Sequence, residues 1–202
     1  MYLFGASGHA KVIVDILLSK GVQVKGFYDE DEAKKELWGI PVIGKTKDFN
    51  DPIEECIVSI GKNDTRKKVV EQLGDSEFGT AIHDKSIIGS HVEIGEGTVV
   101  MAGTIINADT KIGEHVIINT SASVDHDCKV GDFAHIAPNS SICGGVEIGE
   151  GTLIGAGATV IPLVKIGKWC TIGAGAVVVE DIPDHSVAVG NPVKIIKKIV
   201  LK

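Results

Sequence analysis

The tripeptide Asp125-His126-Asp127 is the part of this sequence best suited to acid–base chemistry. An imidazole beside a carboxylate can act as a general base, because the carboxylate orients the ring and raises its pKa. The sequence leaves open whether Asp125 or Asp127 has that role. Histidines also occupy comparable places elsewhere in the chain, at His91 and His115. From the residues alone, a catalytic base and an ordinary turn histidine are both open interpretations of His126.

A second candidate site lies near the N-terminus, where Gly5-x-x-Gly8-His9 separates a predicted strand from a predicted helix. Free backbone amides at a helix start can bind phosphate. The motif lacks the third glycine of GxGxxG, so a simple tight turn is an equal alternative. Asp29 belongs to an acidic run after the next strand, where it could bind a ribose hydroxyl or lie in a solvated turn. Gly61, after a third strand, would line the same crevice.

His126 lies within a six-residue repeat, and the structure of this repeat must determine where its side chain points. From Ile82 to Val178, every sixth residue is Ile or Val, seventeen in all, without an insertion. Small or β-branched residues recur four places after each of them, and glycine often follows directly. Six residues make one short strand and a turn, and three such units close a triangular coil. The spacing therefore predicts a mainly β protein, a parallel β-helix of about five to six coils.

Residues 1–80 break this period and alternate between strand and helix patterns. The predicted elements are strands over Met1–Phe4, Val22–Tyr28 and Cys56–Ile60 and helices over 10–18 and 65–73. They indicate a small Rossmann-like α/β subdomain over 1–80, which we expect to bind a nucleotide sugar. The β-helix, with a short C-terminal tail, then occupies 81–202. Arg66 is predicted to be exposed, because Lys67 and Lys68 follow it on the second helix.

Composition excludes several classes of protein. The formal net charge is -7, and an acidic surface repels nucleic-acid phosphates. No apolar run approaches the roughly 20 residues that span a bilayer. The four cysteines have no metal-ligand spacing, and Cys128 and Cys170 fall on core positions of the repeat, which favours reduced cysteines in a cytoplasmic protein. No histidines are paired closely enough to indicate zinc. We therefore expect no nucleic-acid partner, no membrane span and no metal.

Five short motifs, together with the repeat, resemble the hexapeptide-repeat sugar acetyltransferases of bacterial glycan synthesis. The resemblance is greatest to the bacillosamine-type UDP-4-amino-sugar N-acetyltransferases, with the sialic acid O-acetyltransferases next. It covers essentially the whole chain and implies that the β-helix is left-handed. The motifs are Phe4-Gly-Ala-Ser-Gly-His9, Ile60-Gly-Lys-Asn63, Ile118-Asn-Thr-Ser121, His126-Asp-Cys128 and Val189-Gly-Asn-Pro192.

This resemblance implies roles for individual residues. His126 matches the general base, and Asp127 stands where the relatives have a glutamate, so Asp125 is a possible substitute for it. Asn119 is assigned to substrate binding. The residues that match contacts to acetyl-CoA are His135, Gly144, Ala156 and Ala174. The residues that match the uridine diphosphate site are Ser7, Gly8, His9, Asp29 and Gly61.

We accordingly expect a cytoplasmic, homotrimeric enzyme that transfers the acetyl group of acetyl-CoA to an amino group of a UDP-linked sugar. His126 would remove the proton of the attacking amine, and no metal would be needed. O-acetylation of a sialic acid or another sugar hydroxyl is the alternative, because the same base would serve both reactions. A non-catalytic trimeric scaffold is a third interpretation, disfavoured by the acid–His–acid tripeptide.

Overall fold

The computed structural model describes residues 1–50 and 54–198. Its N-terminal part is a five-stranded sheet in the order β3-β4-β2-β1-β5, in which β1, β2, β4 and β5 run parallel and β3 runs antiparallel to β4. The strands are β1 Tyr2–Phe4, β2 Gly26–Tyr28, β3 Glu36–Leu37, β4 Ile40–Gly44 and β5 Cys56–Val58. The helices are α1 Gly8–Ser19, a 3-10 turn Thr46–Asp48 and α2 Asn63–Leu73. The predicted α/β unit is confirmed, and the β3–β4 hairpin is an addition to it.

The rest of the chain forms a parallel β-helix with three faces, each built from two-residue strands. Face 1 contains β6 Ala81–Ile82, β9 Val99–Val100, β12 Ile117–Ile118, β15 His135–Ile136, β18 Leu153–Ile154 and β21 Thr171–Ile172. Face 2 contains β7 Ile87–Ile88, β10 Ile105–Ile106, β13 Ser123–Val124, β16 Ser141–Ile142, β19 Thr159–Val160 and β22 Val177–Val178. Face 3 contains β8 Glu93–Ile94, β11 Lys111–Ile112, β14 Lys129–Val130, β17 Glu147–Ile148 and β20 Lys165–Ile166.

Every one of these seventeen strands ends on one of the Ile or Val residues of the repeat. From Val100 onward these side chains lie in one buried core. From β6 to β19, each strand pairs in parallel with the strand 18 residues later, as Ile118 does with Ile136, so one coil takes three hexapeptides. Face 1 is extended by β23 Ser186–Val189 and the antiparallel β24 Lys194–Lys198. The predicted hexapeptide β-helix is confirmed.

The N-terminal unit packs on the first coils of face 1. The apolar side of α1, with Ile13 and Leu17, shares a buried cluster with Val99, Met101 and Ile117 of the β-helix. This apolar contact orients the carboxyl edge of the N-terminal sheet relative to face 1. Among the described residues, no helix is long and apolar enough to cross a membrane.

Candidate active site

His126 lies in the turn 125–128, which connects face 2 to face 3. Thr110, one coil earlier, holds this turn from inside the prism. Its Oγ1 donates to the Asp125 carbonyl (2.7 Å) and accepts from the Cys128 N–H (3.1 Å). Asp127 takes a left-handed backbone conformation (φ 59°), which aspartate adopts more readily than most residues. The turn is therefore fixed at both ends, and the His126 side chain projects outward from the corner.

The two neighbouring carboxylates have different contacts. Asp127 Oδ2 lies 2.7 Å from His126 Nδ1, whereas Asp125 Oδ1 accepts from the His126 backbone N–H (2.9 Å) and from Asn107 Nδ2 (2.8 Å). Asp127 thus orients the ring, and Asp125 holds the backbone. The hydrogen bond with Asp127 and then the charge of Asp125 raise the pKa of His126. Within residues 1–50 and 54–198, Nε2 has no hydrogen-bond partner, so it is available to accept a proton.

Gly144 lies one coil above His126 at the same corner. An ideal Cβ on Gly144 would come within 2.7 Å of Cε1 and Nε2 of the imidazole, so the ring packs where only glycine leaves room. The three other residues that the resemblance assigns to acetyl-CoA contacts lie elsewhere. Ala156 and Ala174 occupy successive turns between face 1 and face 2, and His135 lies on face 1. One chain therefore does not bring the predicted coenzyme residues together at one corner.

His135 faces the N-terminal unit, where it meets the predicted nucleotide residues. Its Nε2 lies 3.0 Å from Asn119 Nδ2. Burial and then the nearby Arg66 charge lower the pKa of His135 to about 4. Burial, His135 and Arg66 likewise lower the pKa of His9 to about 4. His9 Nε2 is buried and has no hydrogen-bond partner among the described residues, so this neutral group can bond to a ligand.

The predicted nucleotide residues meet at the carboxyl edge of the N-terminal sheet. Ser7 and Gly8 are exposed at the start of α1, whose first turn contains no acidic residue. Asp29 Oδ2 accepts from the Ala6 N–H (2.7 Å) and from Lys34 Nζ (2.8 Å), and Oδ1 accepts from the Asp31 N–H (2.9 Å). The carboxylate of Asp29 therefore stabilises the loop after β1. The edge combines free amides with a fixed loop, which suits an anionic ligand.

An open groove of about 650 Å³ separates the loop before α2 from face 1. The loop contributes Gly61–Asp64, and the β-helix contributes His135, Leu153 and Trp169. Its lining surface is largely apolar, and its polar residues are Lys62, Asn63, Asp64, His135 and Thr171. A groove of this size could bind part of a drug-sized ligand beside the carboxyl edge.

Two findings correct or extend the analysis of the sequence. Arg66 is predicted to be exposed, but it is only 1 % exposed. Its side chain extends from α2 into the turns of the β-helix, where it donates to the carbonyls of His115 and Phe133. The prediction was wrong because the carbonyls that accept its hydrogen bonds belong to residues 49 and 67 positions away in the sequence. Glu96, Glu114 and His115 place three potential metal-ligand atoms within 4.8 Å of one another, but both carboxylates are exposed. The expectation of no metal site stays a prediction.

Comparisons with known proteins agree with this architecture. The family model described as the PglD N-terminal domain matches residues 1–73. The model described as bacterial transferase hexapeptide (six repeats) matches residues 109–144, 127–162 and 145–179. A curated relative, an uncharacterised protein of Acanthamoeba polyphaga mimivirus, is 37% identical over 101 residues, which are 50% of this chain and 21% of that protein. The chain thus spans about a fifth of the length of that relative.

Solved structures are similar over nearly the whole chain. A variant of perosamine N-acetyltransferase from Caulobacter crescentus, in complex with CoA and GDP-perosamine, is 39% identical with a TM-score of 0.93, covering 98% of this chain and 96% of that one. The chain belongs to the hexapeptide-repeat sugar acetyltransferase family. The acetyltransferase domain of PglB from Neisseria gonorrhoeae is 33% identical, with a TM-score of 0.90 and coverage of 96% and 98%. WeeI from Acinetobacter baumannii is 27% identical, with a TM-score of 0.85 and coverage of 96% and 98%.

Membership in this family confirms the predicted enzyme class, an acetyl-CoA-dependent sugar acetyltransferase. The roles of individual residues rest on the geometry of this chain alone. That geometry forms two separate groups, one around His126 and one around His9 and His135.

Proposed function

We propose that this acetyltransferase moves the acetyl group of acetyl-CoA to an amino group of a sugar linked to a nucleoside diphosphate. The observation that carries this proposal is the His126 ring, whose Nδ1 bonds Asp127 and whose Nε2, beside Gly144, has no hydrogen-bond partner among the described residues. Relatives named as N-acetyltransferases support an amine as the acceptor, and one is bound to CoA and GDP-perosamine. UDP is the nucleotide that the sequence motifs favour, and GDP is its competitor.

The proposed step is direct transfer. The sugar amine attacks the thioester carbonyl, and His126 Nε2 takes the proton that the nitrogen loses as the C–N bond forms. Asp127 stabilises the resulting imidazolium through Nδ1. When the C–S bond breaks, the CoA thiolate leaves, and the imidazolium returns the proton to it. A neutral base is needed at the start of this sequence, and Asp127 keeps the free Nε2 in the correct tautomer.

The nucleotide part of the substrate is proposed to bind at the carboxyl edge of β1, β2 and β5. Parallel sheets bind ligands outside the carboxyl ends of their strands. The amides at the start of α1 can bind a diphosphate, and Gly8 has no atom within 4 Å of its ideal Cβ position, so the approach to the backbone is open. Asp29 supports this site through the loop that it stabilises, and the unpartnered Nε2 of His9 is a donor or acceptor for the substrate.

We propose that each active site forms between two chains of a homotrimer. His126 lies at the corner between faces 2 and 3, on the opposite side of the prism from face 1 and the nucleotide edge. The outward residues of face 3 are all charged: Glu93, Lys111, Lys129, Glu147 and Lys165. Those of face 2 are all uncharged: Ile87, Ile105, Ser123, Ser141, Thr159 and Val177. Large exposed apolar side chains also lie beside it, such as Leu163. The uncharged face 2 therefore suits a second copy, which would bring its nucleotide edge to His126.

The reaction is tested by measuring free thiol released from acetyl-CoA with three acceptors: a UDP-linked 4-amino sugar, a GDP-linked 4-amino sugar and free sialic acid. His126→Ala serves as the control for non-enzymatic hydrolysis. Thiol release with either nucleotide amino sugar supports the proposal and identifies the nucleotide. Release with sialic acid alone would make the enzyme an O-acetyltransferase and refute it.

The shared site is tested by mixing subunits. Chains carrying His126→Ala and chains carrying Gly8→Val are each expected to be inactive. If a site takes His126 from one chain and Gly8 from its neighbour, an equal mixture restores about a quarter of the sites. If both residues serve one site within the same chain, the mixture stays inactive, and the composite site is wrong.

A further inference from the structure

The turns between faces 2 and 3 each end on a side chain that points into the prism, and these side chains form an inner column. One member occurs in each coil, 18 positions after the previous one. Four of the six members are aliphatic: Val92, Val146, Val164 and Ile182. The other two, Thr110 and Cys128, carry polar groups although both are 0% exposed. Within the inner column, polar side chains therefore occur only at the two positions that contact the turn of His126.

Thr110 forms hydrogen bonds with both ends of that turn. Its Oγ1 donates to the Asp125 carbonyl (2.7 Å) and accepts from the Cys128 N–H (3.1 Å). Among the described residues, this N–H has no other acceptor. A buried N–H that loses its acceptor is costly, so the turn is stable only where it meets the hydroxyl. Thr110 therefore determines where the turn that carries His126 lies.

Cys128 extends this link to the next coil. Its Sγ lies 3.2 Å from the Cys143 carbonyl and 3.6 Å from the His126 carbonyl. Burial raises the pKa of Cys128, so the thiol keeps its proton at neutral pH and can donate it. Cys143 directly precedes Gly144, whose ideal Cβ position is 2.7 Å from the imidazole. The thiol thus joins the turn that carries His126 to the turn against which its ring packs.

The fold itself does not require polar groups at these two positions. Valine fills the same position one coil before the pair, at Val92, and one coil after it, at Val146, in turns of the same length. Burying a hydroxyl or a thiol costs free energy, which its hydrogen bonds only offset. The presence of two such groups beside the turn of His126 therefore indicates a role in positioning that turn.

We propose that Thr110 and Cys128 are positioning residues that hold the turn of His126 and the turn of Gly144 in a fixed relation, and so place the imidazole for proton transfer. Neither side chain reaches the surface, so both act through His126 and touch no substrate. This inference rests on the proposed function for its catalytic meaning. Its structural part, an effect on the His126 ring, is measurable without any turnover.

The test compares Thr110→Val with Thr98→Val. Thr98 is also 0% exposed and makes the same pair of bonds at another corner, to the Gly113 carbonyl (2.9 Å) and from the Val116 N–H (3.0 Å). Both variants keep the shape of the side chain and lose the hydroxyl, so thermal unfolding should show a similar loss of stability.

Only Thr110→Val is expected to impair catalysis. A shift of 1 Å costs about 10²-fold in rate, so a shift of a fraction of 1 Å should lower kcat by about tenfold, with little change in KM for acetyl-CoA. Thr110→Ser keeps the hydroxyl and should restore most of the rate. Cys128→Val should lower kcat by a smaller factor, about threefold, because a thiol is a weak donor.

NMR titration of the His126 ring gives a readout that does not depend on turnover. The hydrogen bond with Asp127 raises the pKa of His126, and a displaced turn weakens this bond. Thr110→Val and Cys128→Val should therefore lower the pKa of His126, whereas Thr98→Val should leave it unchanged.

A folded Thr110→Val protein with the wild-type kcat and the wild-type pKa of His126 would overturn the proposal. So would an equal fall of kcat in Thr98→Val, since the effect would then be a general loosening of the prism. If Thr110→Val does not fold, Cys128→Val replaces it, because valine already occupies the inner column in neighbouring coils. An unchanged kcat and pKa of His126 in Cys128→Val would then refute the link. A wild type that acetylates no nucleotide amino sugar refutes the proposed function instead, and the pKa comparison still tests the positioning.

Discussion

Gly144→Ala tests whether His126 is the base, because the structure predicts how far this change moves the ring. The added Cβ would lie 2.7 Å from Cε1 and Nε2 of His126. Non-bonded atoms prefer separations of about 3.5 to 4.0 Å, so the ring must move by roughly 1 Å. A misplacement of about 1 Å in a reacting group costs about 10²-fold in rate. We therefore expect kcat to fall about 100-fold, within the range of about 10²–10⁴ for loss of a general base.

The turn itself accommodates an alanine. Ala108 occupies the equivalent position one coil before His126, in a turn of the same length. The backbone of Gly144 has a negative φ, because the left-handed residue of its turn is Gly145. The expected loss of rate therefore comes from the contact with the imidazole, and thermal unfolding should show a folded protein.

The assay is a double-mutant cycle on thiol release. In the His126→Ala background, Gly144→Ala should have no further effect on kcat, because its target is gone. Wild-type turnover in Gly144→Ala would refute the role of the contact. An equal additional loss in the His126→Ala background, with a raised KM for acetyl-CoA, would show that Gly144 acts on the coenzyme, as the resemblance to the family implies.

Three further predictions concern single residues. His126→Ala should lower kcat by about 10²–10⁴-fold with nearly unchanged affinity for acetyl-CoA, measured by calorimetry; unimpaired turnover contradicts the mechanism. Asp127→Asn should shift the acidic limb of the kcat/KM pH profile to lower pH, because the hydrogen bond with Asp127 raises the pKa of His126 and the base is active only when neutral. A limb that stays in place would assign this effect to Asp125. Gly8→Val should abolish binding of the nucleotide sugar in calorimetry with the fold intact, since its side chain meets only open space in the free protein; unchanged affinity would place the nucleotide elsewhere.

The β-helix was predictable in detail because only one register of the repeat buries all of its Ile and Val side chains. Each strand of the three faces ends at an Ile or Val of the series, and a shift by one residue would turn the whole set outward. The β3–β4 hairpin was missed, because its short, half-exposed strands carry a weak pattern and Trp38 at its turn is 58% exposed. Propensity alone does not show such an element, which forms by adding to the edge of an existing sheet.

The environment of the candidate site was harder to predict than its residues. Asp29 could be named as a ligand-binding acid, yet its oxygens already hold Ala6 and Lys34. Arg66 followed the pattern of an exposed helix, yet its acceptors come from turns that are adjacent only after the β-helix has formed. Local patterns give the type of a side chain and its place on an element, whereas its partners depend on which elements meet.

The spacing of the two histidine groups supports a site shared between chains. One coil takes 18 residues, as the pairing of Ile118 with Ile136 shows, so two residues nine apart lie half a coil from each other. His126 and His135 are nine apart and therefore point to opposite sides of the prism. A reaction that uses both groups needs an imidazole from one prism beside the nucleotide edge of another. The uncharged face 2 next to His126 is where a second prism can approach without desolvating charge, whereas face 3, with its lysines and glutamates, would have to lose its hydration. The repeat thus places the two histidine groups on opposite sides of one prism, and the homotrimer that we propose would bring them together.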